Sequence, residues 1–299
     1  MQEIVVEENI NTRIDNYLAL QLDESRSKIT KMLKEGYILV NGEFVKASYF
    51  PRSGDVISIK EYINETTVVP EKMDLDIVYE DDDVMVVNKA NGVVVHPAVG
   101  NNSGTLVNGL MYHSKNLSTI NGEFRPGIVH RIDAYTTGLL MIAKNDKAHN
   151  YLAEQLQNKT TTRKYIALVW GVIKNDTGTI DAPIGRDSND RKKMAVTAIN
   201  SKDAVTHFKV LERYKSATLI ELSLETGRTH QIRVHMNYIG YPVVNDPVYG
   251  RRKLIDNTGQ CLHAKTIGFV HPTTGKYMEF TSELPECFVN ILNMFKNEK

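Results

Sequence analysis

Asp133 sits in the stretch GIVHRIDAYTTGLLMIAKN, residues 127–145, between two apolar runs and just ahead of Thr136, Thr137 and Gly138. An aspartate at the end of a strand-like run is ordinarily an Asx-turn or capping residue. Chemistry must therefore be argued from its neighbours. Arg131 lies two positions earlier and, on a continuing strand, would share a face with Asp133. Arg228 and Arg233, in ETGRTHQIRVHM, bracket the start of a predicted helix, where open backbone N–H groups and the helix dipole add positive potential. If that helix start faces Asp133, a carboxylate is held among cations in a cleft, as a nucleophile or electrostatic catalyst would be.

Other residue types offer less. His96, His130, His207, His230, His235, His263 and His271 invite a metal reading, but His230 and His235 are five apart and do not share a helix face. There is no HExxH pattern or Cys/His cluster. Cys261 and Cys287 form no CxxC pair and read as reduced packing residues. No metal and no cofactor are expected, since no phosphate loop or dinucleotide fingerprint occurs.

The chain has 299 residues, of which 41% are hydrophobic, enough for a large domain and a small one. Lys+Arg and Asp+Glu both total 36, which by itself argues against a polyanionic partner. The charges are segregated, however. Acids crowd into Glu61–Asp83, whereas bases gather at Arg26–Lys34, Arg186–Lys193 and Arg251–Lys253, and steering depends on the local patch rather than the sum. The opening MQEIVVEEN lacks the cationic and apolar regions of a signal peptide, and no run is long enough to span a bilayer. A cytoplasmic protein, with no membrane partner, is expected.

The elements that must position these residues fall into two groups. In residues 1–60, Ile14, Leu18 and Leu22 recur at helical spacing, and Ile29, Met32 and Leu33 define a second short helix that stops at Gly36. Lys28, Lys31 and Lys34 lie on that helix away from its apolar stripe and are candidates to meet a partner. YILVNGEFV follows as a hairpin turning at Asn41-Gly42, and DVISIK as another strand. Residues 61–73 read as a linker. From residue 74 to 299 the pattern is strand-rich: a hairpin in IVYEDDDVMVVNK, strands in GVVVHP, GIVHRI and GLLMIAK, and a pair joined near Tyr214–Ser216. Helices are predicted over Lys147–Asn158, capped by Asp146; over Thr229–Gly240, capped by Thr229; and over Pro285–Phe295. The fold class is α+β: a mixed, mainly antiparallel sheet with flanking helices, preceded by a small α/β module.

These residues carry a family resemblance. HRIDAYTTGLL is similar to the aspartate-bearing element of pseudouridine synthases of the large-subunit ribosomal RNA class, D-type. NKANGVVVHPAVGNNSGTLVNGL, TTRKYIALVWG, IDAPIGR, LETGRTHQIRVHM, VVNDPVYG and LHA follow in the family's order, together covering about residues 74–285. The first 60 residues resemble the alpha-L RNA-binding module. The resemblance implies an isomerase that breaks the N1–C1′ bond of a uridine, turns the uracil and rejoins it through C5, with no cofactor and an RNA partner. It implies that Asp133 is the essential carboxylate, acting at C1′ directly or through a glycal. Tyr165 would lie against the uracil and take part in proton transfer, and Arg233 would pair with Asp133. His130 and Arg131 would help extrude and accommodate the nucleotide, Thr137 and Gly138 would shape the loop, and Leu262 and Ala264 would line the pocket. Arg228 would bind RNA or satisfy a helix end. The reactive atoms of a stacked uridine are inaccessible, so base flipping is required. Ile132, Ala134-Tyr135 and Lys89-Ala90 depart from the family pattern. Ala134-Tyr135 removes two charges near the RNA path.

Two rivals are weaker. A glycoside hydrolase also cleaves at C1′ but needs two carboxylates flanking the bond. A silent RNA-binding protein would not need a carboxylate beside a polyanion. The reading is a monomeric enzyme acting on large-subunit ribosomal RNA, with transfer RNA as the alternative substrate.

Overall fold

The computed structural model describes residues 2–60, 68–98, 100–122, 125–190, 193–250 and 252–297. Parts of the expected linker and of the basic clusters near residues 191 and 251 therefore lie outside the described residues. The chain divides into two compact units, Met1–Thr67 and Val68–Lys299.

The first unit runs β1 (Gln2–Val5), α1 (Ile14–Gln21), α2 (Arg26–Glu35), β2 (Ile38–Val40) and β3 (Val56–Ile59), with β3 between the other two strands. Ser25 caps α2 by accepting from the Lys28 backbone N–H at 3.3 Å, and Gly36 ends it in the left-handed conformation at φ 77°. Ile14, Leu18, Ile29, Met32 and Leu33 bury together over the strands, as their spacing required. Asn41 and Gly42 take positive φ and turn the chain, but the return makes a single bridge, Val40 to Glu43, and β2 pairs with β3 instead. Strand β1 went unforeseen because its four residues are mostly exposed and carry no apolar alternation.

The second unit continues with β4 (Asp76–Glu80), β5 (Val84–Lys89), α3 (Leu106–His113), β6 (Thr137–Ala143), α4 (Asp146–Gln157), β7 (Thr162–Trp170), β8 (Thr177–Asp181), β9 (Ile184–Arg186), β10 (Met194–Val196), β11 (Val205–Arg213), β12 (Ala217–Leu224), α5 (Gln231–Tyr238), β13 (Leu262–Val270), β14 (Tyr277–Thr281) and α6 (Glu286–Lys296). The large sheet is ordered β4-β5-β6-β13-β7-β12-β11-β8, with β14 beside β13; only β6 and β13 pair in parallel among its described strands. The α+β reading holds. No helix among the described residues is long and apolar enough to cross a membrane. The segment expected to be linker is split in character: beyond the undescribed residues 61–67, Val69 and Glu71 are tied to α3 through Asn108.

Four local expectations are corrected. GVVVHP is not a strand, because its carbonyls are bound elsewhere: Val93 O accepts from Lys89 Nζ, and Val94 O and Val95 O accept the first N–H groups of α3. GIVHRI is not a strand either. It lies along β6 with one bridge, Ile128 to Ile142, and the rung at Met141 is filled by the ring of His130, whose Nε2 accepts from the Met141 N–H at 3.0 Å. Helix α4 is capped by Asn145, which accepts from Ala148 N, while Asp146 accepts from Ser118 and Thr119. Helix α5 starts one residue later than expected, after His230 in the left-handed region at φ 59°, and Thr229 caps nothing.

Candidate active site

Asp133 belongs to a loop, so Arg131 does not share a strand face with it, and the loop is held from three sides. Lys89, at the end of β5, is fully buried and donates to Ala90 O, Val93 O and Ala134 O at 2.8, 2.8 and 2.7 Å. Gln260 donates to Thr136 Oγ1 at 3.0 Å, and the Thr136 N–H closes a turn onto Asp133 O. Behind the loop, Gly138 has φ 107°, and a Cβ there would fall 2.3 Å from Ala264 O, so β6 and β13 can approach only at a glycine. Burial pulls the Lys89 pKa down to about 7, with Asp133 pulling the other way. Its three carbonyl acceptors use all three ammonium protons, which favours the charged form.

From 100 residues further along the chain, α5 delivers Arg233. Its Nη1 donates to Asp133 Oδ2 at 2.8 Å, while Nε and Nη2 donate to Asp246 Oδ2 and Oδ1 at 2.7 and 2.9 Å. Burial works against the Arg233 charge, but Asp246 and Asp133 outweigh it and raise its pKa above the ordinary arginine value. Asp246 is itself buried, a cost that Arg233 and the N–H groups of Val248 and Tyr249 overcome, leaving its pKa lowered. The guanidinium also lies 5.1 Å from the centre of the Tyr249 ring.

Tyr249 fixes a neighbouring histidine. Its hydroxyl accepts from the Met194 N–H at 2.9 Å and shares a second hydrogen bond with His230 Nδ1 at 2.8 Å. The Nε2 of the same ring stands 3.8 Å from Asp133 Oδ1. Burial lowers the His230 pKa, which favours a neutral ring. One carboxylate oxygen of Asp133 is therefore bonded to Arg233 and the other is only loosely approached.

A cavity of about 420 Å³ opens in front of this carboxylate, lined by Asp133, Tyr165 and Arg233 together with His130, Arg131, Arg228 and Leu262. Tyr165 is buried on β7, and burial raises its pKa. Of the other expected site residues, Thr137 lies behind the loop, bonded to His263 Nδ1 at 2.8 Å, and the buried Ala264 packs against Gly138 rather than facing the cavity. Thr137, Gly138 and Ala264 thus stand outside the lining of this cavity. His130 is committed to the Met141 N–H, and burial drops its pKa to about 3. Arg131 donates to His96 Nε2 at 3.2 Å, and burial with Arg125 and Arg131 nearby takes His96 to about 4. Arg228 donates to Asp203 O at 2.9 Å. Lys28, Lys31 and Lys34 belong to the first unit, where Lys28 pairs with Glu24 and Lys31 with Glu35 at 4.0 Å.

Sequence reading missed Asp246, Lys89, His230 and Arg163. Asp246 appeared only within the quoted stretch VVNDPVYG, and Lys89 was noted only for its neighbour. Arg163 had a readable signal: it is two positions before Tyr165 on the same strand face.

Comparisons with known proteins identify the family. Residues 83–238 match the RNA pseudouridylate synthase family and residues 12–57 match the S4 domain. A Bacillus subtilis protein named as an uncharacterized RNA pseudouridine synthase is 57% identical over 97% of this chain and 97% of its own length. The ribosomal large subunit pseudouridine synthase D of Neisseria meningitidis serogroup A is 45% identical, covering 96% of this chain and 79% of that protein. The solved human RNA pseudouridylate synthase domain containing 1 aligns with TM-score 0.58 at 25% identity, over 79% of this chain and 98% of that one.

Proposed function

The chain belongs to the RNA pseudouridylate synthase family and is an isomerase of uridines in RNA; from this premise we propose that it acts on large-subunit ribosomal RNA and that Asp133 carries the reaction. The relatives named for that substrate, 45% identical in Neisseria meningitidis and 42% in Pseudomonas aeruginosa, support the substrate class. The observation that carries the site assignment is the 2.8 Å bond from Arg233 to Asp133, formed beside Tyr165 at the wall of one cavity.

In this reading a uridine leaves its stack and enters the cavity, with C1′ presented to the loosely held Oδ1 of Asp133. Arg233 orients the carboxylate through Oδ2 and is itself aimed by Asp246. The uracil lies along the Tyr165 ring, which supplies an apolar face while the base turns, and its hydroxyl is placed to move the C5 proton. Arg131 and Arg125 stand at the cavity wall to meet the RNA backbone. The S4 domain adds affinity through phosphate contacts. The enzyme works as a monomer in the cytoplasm, where ribosomal RNA is matured.

The test is replacement of Asp133 by Asn and by Ala. Each variant is expected to fold and bind ribosomal RNA as before but to lose isomerisation by at least roughly 10³-fold. Pseudouridine mapping of large-subunit ribosomal RNA, from a strain lacking the gene and complemented with each form, provides the measurement. Undiminished modification by either variant removes Asp133 from this role.

A further inference from the structure

We propose that Arg163 recognises the C4 carbonyl of the target uracil and so sets the choice of uridine over cytidine. The inference rests on the isomerase reading above and names one specificity contact within it.

Arg163 is buried, at 8% exposure, and lines the cavity. Its Nη2 donates to Leu224 O and Glu225 O at 3.4 and 3.2 Å, and its buried Nε has no partner. No carboxylate pairs with it among the described residues, and burial lowers its pKa. A desolvated guanidinium with an open donor is costly to leave unmatched. Arg233, in the same cavity wall, has two carboxylates. Packing encloses Nε, so Nη1, which has no acceptor among the described residues, is the donor left for something that enters.

Its position indicates what that is. Tyr165 pairs with Ala264 of β13, which in turn pairs with Gly138, whereas Arg163 pairs with Ile267. Along the cleft the order is the Asp133 loop, then Tyr165, then Arg163. A nucleoside whose C1′ is at Asp133 and whose base lies on Tyr165 turns the edge opposite N1 toward Arg163. In uracil that edge carries the O4 acceptor; in cytosine it carries an amine, which would set donor against donor. Gly227 makes room for the contact, since a Cβ there would lie 2.9 Å from Arg163 Nη1.

The probe is a ribosomal RNA fragment containing a mapped target, prepared with uridine or 4-thiouridine at that position; sulfur is the poorer acceptor. Wild-type enzyme should isomerise 4-thiouridine roughly 10- to 100-fold more slowly, the range of one charge-assisted hydrogen bond. Arg163→Met should slow uridine by a similar factor and respond to sulfur less than about 2-fold, with RNA affinity and its salt slope unchanged. Gly227→Ala, which displaces the guanidinium without removing it, should shrink the sulfur effect and covers the case in which Arg163→Met does not fold. A sulfur penalty of equal size in wild type and both variants overturns the proposal. So does a salt slope reduced by about one unit in Arg163→Met, which would make Arg163 a phosphate contact. A wild-type enzyme inert on the uridine fragment overturns the functional reading, and this one with it.

Discussion

The cleft of the second unit and the outer face of α2 are both cationic, yet they carry their charge in opposite ways. Five guanidiniums line the cleft, Arg125, Arg131, Arg163, Arg228 and Arg233, and among the described residues only Arg233 has carboxylate partners. On α2, by contrast, Lys28 leans on Glu24 just ahead of the helix cap and Lys31 on Glu35 one turn further along. Surface pairs of this kind contribute little, about 0–1 kcal/mol, and exchange readily for phosphates. A buried guanidinium cannot exchange in this way. Packing must give it a partner, as for Arg233, or hold it for a ligand, as proposed for Arg163.

The difference is sharpest if the buried pair is broken. Arg233→Met strands Asp246, whose side chain is fully buried, and should destabilise the second unit by about 3–5 kcal/mol. Chemical denaturation of the variant and wild type measures it. A loss under 1 kcal/mol would place this pair with the surface ones.

Lys89 offers an intermediate case. In the unfolded chain it titrates near the ordinary lysine value, whereas burial brings it to about 7 in the fold. Above pH 7 the unfolded state binds more protons than the folded state, so this group makes stability rise with pH until the unfolded lysine titrates. The contribution has a slope of at most about 1.4 kcal/mol per pH unit. Wild type compared with Lys89→Met, unfolded at pH 6 to 9.5, should show the difference growing in wild type's favour as pH increases. A flat difference means that the three carbonyl bonds hold the ammonium charged throughout.

The smallest effects belong to α2. Lys34 has no acidic partner among the described residues, and Lys34→Ala should reduce the salt slope of RNA binding by about one unit; Lys28→Ala, already paired with Glu24, should reduce it by less. Filter binding across a salt series separates them. Equal slopes would mean that pairing on this face has no bearing on RNA.

Much of the fold was legible because the signals are local. The spacing of Ile29, Met32 and Leu33 and the Gly36 stop describe one helix and are realised there. GVVVHP and GIVHRI misled because valine- and isoleucine-rich runs look like strands wherever their carbonyls end up bonded. Only packing shows that Lys89, α3 and the His130 ring take those bonds. In the site, Asp133, Tyr165 and Arg233 could be singled out from motifs, and the cavity brings them together, whereas Thr137 and Ala264 proved to stand behind it.

By itself the order of residues determined which side chains are present to do chemistry, the elements that periodicity and turn residues encode, and the family in which they recur. Which cation meets which acid was decided only by the tertiary structure. Arg233 reaches Asp133 across 100 positions, and Asp246 and Lys89 enter from opposite directions. The physical reason is range. Periodicity and capping act over a few residues, while the pairing of a buried charge depends on which surfaces close over it once the sheet has formed.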